Sequence, residues 1–127
     1  MRKRHHTVLI VRRGITLPEE GVSVFLNPME RTLYKLFLEH PEGLPADSLP
    51  AYWEELSAIY LSESRFDDQP LRDSALESLC AESKRVFYSN VSRIKKKITS
   101  ALGRQKGAAY IIKRGKDGLY RAKATLG

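Results

Sequence analysis

Between Phe87 and Ser100 the chain reads FYSNVSRIKKKITS, with four Lys/Arg and no acid. The hydroxyls of Ser89, Ser92 and Thr99, the amide of Asn90 and the cations Arg93, Lys95, Lys96 and Lys97 share one chemistry. Each can donate a hydrogen bond to an anionic oxygen. Arg and Asn can also form paired hydrogen bonds to base edges in the major groove of B-DNA, whereas Lys, Ser and Thr hold phosphates without reading sequence. Asn90 and Arg93 are therefore the expected base contacts. Ser89, Ser92, Lys95, Lys96, Lys97 and Thr99 are the expected phosphate contacts. In the RGKDG run at 114–118, Arg114 and Lys116 could reach a minor groove or its phosphates. A solvated helix face and a lysine-guarded edge hairpin are the plainer uses of these same residues.

Groups at this spacing act together only on a helix. Phe87, Val91, Ile94, Ile98 and Leu102 recur every three or four residues, which predicts a helix over about 84–102 with that stripe buried. Two strand-like runs follow, Ala109–Lys113 and Leu119–Lys123, and the glycines of RGKDG predict a hairpin between them. Upstream, Thr7–Arg13 and Val22–Leu26 read as strands, with Gly14 to Gly21 as a turn. Asn27-Pro28-Met29-Glu30 carries an N-cap, a proline at the first helical position and a capping-box glutamate. It predicts a helix over 28–39 that buries Leu33, Leu36 and Phe37, with Met29 and Tyr34 at its edges. Pro41 and Gly43 end it. Residues 44–50 form a linker with Asp47 or Ser48 as a second capping candidate. Tyr52, Leu56, Ile59 and Tyr60 predict a helix over about 51–62. After the polar break SESRFDDQP, Pro70 opens a short helix with Leu71, Ala75, Leu76, Leu79 and Cys80 on its apolar side.

Charge is segregated along these elements. Residues 1–13 carry +5, residues 14–80 carry −9 and residues 81–127 carry +11. An anionic partner for the C-terminal third is the expectation. The 127 residues fit one domain, with residues 1–6 as a flexible basic tail, and 42% hydrophobic content is enough for one core. The single Cys80 excludes an internal disulfide and any cysteine-based metal cluster. No apolar run approaches a membrane span, and the apolar stretch after MRKRHH is too short for a signal peptide, so the cytoplasm is the expected compartment. Catalysis is not expected. His5, His6 and His40 lack metal-ligand spacing, no cofactor motif is present, and there is no GxSxG or GxxxxGK[ST] run. The adjacent pairs Glu54/Glu55 and Asp67/Asp68 give no acid–base geometry.

In four places the order of motifs resembles the C-terminal effector domain of OmpR-type response regulators. Val24-Phe-Leu-Asn-Pro-Met-Glu30, followed by Leu33, Leu36 and Phe37, resembles the opening of that family's first helix, and His40-Pro-Glu-Gly43 the turn after it. Phe87 to Ile98 resembles its recognition helix, with Val91 and Ile94 at core positions and Asn90, Arg93, Lys95 and Lys97 at or beside the DNA-facing ones. Tyr110-Ile-Ile-Lys-Arg-Gly115 with Gly118-Leu-Tyr120 resembles its wing, Arg114 standing at the wing arginine. The resemblance implies an α+β winged helix-turn-helix with short N-terminal strands, three to four helices and a C-terminal hairpin wing. It implies a duplex DNA partner and transcriptional regulation, here without a receiver domain. The chain departs from the family in a longer 63–83 segment with an extra helix, a longer wing turn, and two N-terminal strands in place of four. That family contacts the polymerase through its inter-helix loop. The alternative is thus a protein–protein interaction module docking through residues 52–80, where Tyr52, Trp53, Tyr60 and Phe66 stand in acidic sequence, most simply as core or edge packing.

Overall fold

The structure, a computed structural model, describes residues 6–63 and 69–127. It is an α+β fold. Three strands open it: β1 (Thr7–Val11), β2 (Gly14–Leu17) and β3 (Val22–Phe25). They form an antiparallel meander, with Ile10 opposite Ile15 and Ile15 opposite Val24. Helices α1 (Pro28–Glu39), α2 (Trp53–Glu63), α3 (Gln69–Leu79) and α4 (Arg85–Leu102) follow, then the single turn α5 (Arg104–Gly107). The hairpin of β4 (Ile112–Arg114) and β5 (Tyr120–Ala122) comes next, and β6 (Thr125–Leu126) ends the chain.

The first sheet corrects the two-strand expectation. Gly14 does not open a long turn. It starts β2, and the turn is confined to Arg12–Arg13. Gly14 sits at φ 154 with its α-carbon pressed on β3, where an added Cβ would fall 2.0 Å from the Val24 carbonyl oxygen. Only glycine tolerates that approach. A fourth strand arrives from the other end of the chain: β6 pairs in parallel with β1, giving the order β3-β2-β1-β6.

Helix α1 forms as its cap predicts. The Asn27 side chain accepts the Glu30 N–H at 2.8 Å, and Glu30 Oε1 accepts the Asn27 N–H at 2.9 Å. Leu33, Tyr34, Leu36 and Phe37 are wholly buried, so Tyr34 lies in the core and not at its edge. Residues Ala46–Tyr52 make a 3-10 turn that runs directly into α2. Neither Asp47 nor Ser48 caps it, and the Ser48 hydroxyl instead donates to the Pro45 carbonyl. In the middle of the chain Leu56, Ile59, Tyr60, Leu76 and Leu79 are buried, while Tyr52, Trp53, Ala75 and Cys80 pack partly buried against them. Phe66, Asp67 and Asp68 and the side chain of Leu71 lie outside the described set, as does the basic tail up to His5. His6 places its ring edge-on to Tyr110.

In α4 the buried stripe is Phe87, Asn90, Ile94 and Ile98, with Val91 and Leu102 at its margin. The helix is therefore turned slightly from the orientation its hydrophobic spacing predicts. Ile94 is fully buried at the centre of this stripe. Ile94→Ala is expected to destabilise the fold by roughly 2–5 kcal/mol, from lost transfer energy plus a residual cavity. Urea unfolding measures it, and a loss below about 1 kcal/mol on that scale would contradict this packing.

Candidate functional site

Because α4 buries one stripe, its remaining surface is cationic. Ser92, Arg93, Lys95 and Lys96 are exposed, and Ser89, Lys97 and Thr99 are half-buried. These residues do not behave alike. Glu30, on the first turn of α1, is completely buried and faces α4. Its Oε1 accepts from Lys97 Nζ at 2.6 Å and its Oε2 from Arg93 Nε at 3.1 Å. One carboxylate thus closes the capping box of α1 and anchors two cations of α4. Arg93 also donates from Nη1 to the Ser89 hydroxyl at 2.9 Å. Lys97 lies 5.3 Å from the ring centre of Phe25, whose side chain is otherwise exposed.

Asn90 must be withdrawn from the expected surface. It is 1% exposed, and its Nδ2 donates to the Val86 carbonyl at 2.8 Å. An asparagine reaching back one turn to its own helix satisfies its donor locally, which lets it stand in an otherwise apolar stripe. Its Oδ1 has no partner among the described residues.

The cations left free define a different face. Ser92, Lys95, Lys96, Thr99, Arg104 and Lys113 line a groove of about 700 Å³ between α4 and the hairpin. Among the described residues none of these four cations has an acidic partner within salt-bridge distance. Lys96 also borders a second groove, about 640 Å³, between α4 and β3. It is thus the ridge between the two.

The hairpin is shorter than its sequence predicts, three residues per strand, with Lys113 opposite Arg121. Its turn is fixed by Gly118, whose φ of 83 suits a residue without Cβ. Arg121 braces it by donating to Asp117 at 2.7 Å and to the Glu42 carbonyl at 3.0 Å. The Arg121 side chain and the Leu119 N–H hold the Asp117 carboxyl below its usual range. Leu44 and Tyr120 exchange both backbone hydrogen bonds, so the segment after α1 is stitched to the hairpin. Arg114 and Lys116 stand exposed near its tip.

Away from this face, His40 at the end of α1 forms a clasp. Its ring contacts Glu55 and Glu42, each at 2.9 Å, and meets Tyr52 edge-on. Burial lowers the His40 pKa, but hydrogen bonds and charge from Glu55 and Glu42 outweigh it and raise the value above 6.5. A histidine raised on folding stabilises fully below its unfolded pKa of about 6.5 and loses that contribution as pH rises through the folded value. Wild type is therefore expected to become less stable relative to His40→Gln as pH rises from about 6 to about 8. Denaturant midpoints that keep a constant separation over that range would contradict the clasp.

Among the described residues no helix is long and apolar enough to cross a membrane. No family model, no curated protein and no solved structure matches the chain.

Proposed function

We propose that this chain is a DNA-binding protein of winged-helix type, with α4 set against duplex DNA and the β4–β5 hairpin as its wing. One observation carries the proposal: four cations, unpaired among the described residues, and two hydroxyl side chains converge from α4, α5 and β4 on a single groove. Such groups grip phosphates. The stitch between Leu44 and Tyr120 supports the winged arrangement, because it ties the chain between α1 and α2 to the hairpin. The OmpR-like order of motifs extends the proposal to a transcriptional regulator.

The geometry favours a grip on the backbone over a reader of sequence. Asn90 is buried, and Arg93 has Nε on Glu30 and Nη1 on Ser89. Beside them on the groove side of α4, the exposed Ser92, Lys95 and Lys96 are of the phosphate-holding kind. Docking through the acidic middle has less behind it. Leu61 is the only large exposed hydrophobic between 52 and 80 among residues whose side chains are described. Fluorescence anisotropy at low salt tests the proposal. Duplexes of unrelated sequence are expected to bind with affinities within a few-fold of one another. Absence of duplex binding at low salt would end it.

A further inference from the structure

The groove between α4 and the hairpin has cationic rims, but its floor is apolar. Tyr88, Val91, Ile111, Ile112 and Tyr120 form much of it. Tyr88 is the exposed member, at 48%. Its ring and that of Phe87 form a T-shaped pair with centroids 5.4 Å apart, and it lies tilted to the Tyr120 ring at 6.4 Å. A duplex supplies phosphates to the rims, but it hides the faces of its bases in the stack and presents only their edges. The floor would then face nothing that matches it. An unpaired base offers a π-face, which stacks on an aromatic side chain whatever its sequence, while its phosphates follow the cations. The groove's volume falls within the range of small-ligand sites.

We infer that this groove seats an unpaired base of a strand continuing from the bound duplex, so the DNA that fits best is a duplex with a single-stranded extension. The inference rests on the DNA-binding reading above. Lys95, Lys96, Arg104 and Lys113 supply the charge complementarity, and Tyr88 supplies the stacking surface.

The test compares a labelled blunt duplex with the same duplex carrying a short oligothymidine extension at its 5′ or its 3′ end, by anisotropy. One extension is expected to tighten wild-type binding about ten-fold. Tyr88→Ala is expected to lose that gain, read as the ratio of its affinities for the extended and the blunt duplex. Tyr88→Phe is expected to keep it. Circular dichroism and thermal melting check the fold. Should Tyr88→Ala not fold, Tyr88→Leu, which keeps apolar bulk without an aromatic face, reads the same comparison. Equal wild-type affinity for blunt and extended duplexes would overturn the inference and leave duplex binding intact, as would a Tyr88→Ala protein that keeps the gain. Failure to bind either probe would overturn both.

Discussion

Replacing Arg93 and Lys97 together by methionine is expected to destabilise the protein by about 3–5 kcal/mol. The cause is Glu30. Its carboxylate is wholly buried, and its charge is balanced by these two cations alone among the described residues. Methionine keeps most of the packing of both stems, so the loss is electrostatic. The effect should be asymmetric. Arg93 is half exposed and Lys97 about one-third exposed, so both can turn to water if Glu30 is neutralised. Glu30→Gln should therefore cost less than the double replacement, and either single replacement should fall between them. Urea unfolding of the four variants reads the order. A double variant within about 1 kcal/mol of wild type would show that Glu30 does not need these partners.

Neutralising Lys95, Lys96 and Lys113 to glutamine should leave stability almost unchanged, since all three are exposed and unpaired among the described residues. Its effect on DNA binding should be large. Each phosphate contact contributes about −0.9 to the slope of log affinity against log salt, so three lost contacts flatten that slope by roughly three units. At about 0.1 M salt the same arithmetic weakens binding by roughly 10²–10³-fold. Lys96→Ala alone should remove about one unit, equally on all sequences. A triple variant with the wild-type slope would move the contact surface elsewhere.

Much of this arrangement is legible in local sequence. Asn27-Pro28-Met29-Glu30 announces α1 because all of its bonds close within one turn. Helix α4 and the hairpin are legible for the same reason, as periodicity and turn chemistry act over a few residues. What is hidden depends on distant partners. Glu30 reads as a capping residue, and nothing near it reveals that it also takes Arg93 and Lys97 from 63 and 67 residues away. That capture alters the expected site, because it makes two presumed DNA contacts into structural cations. Asn90 misleads differently. Positions 90 and 91 both suit a stripe that includes 87 and 94, and polarity assigns 91 to the core. The bond from Asn90 to Val86 reverses the choice. Strand β6 is two residues long and exists only because β1 offers an edge. Arg104, Tyr88 and Tyr120 enter the groove through tertiary packing, so the sequence shows them only as one more cation and two more aromatics.

The most direct measurement is amine-reactive labelling of the lysines with and without saturating duplex, read by mass spectrometry. With DNA bound, Lys95, Lys96 and Lys113 should be protected together. Lys97, already held by Glu30, should change least among the lysines of α4. Duplex bound at saturation while Lys95, Lys96 and Lys113 label at their free rates would contradict the account.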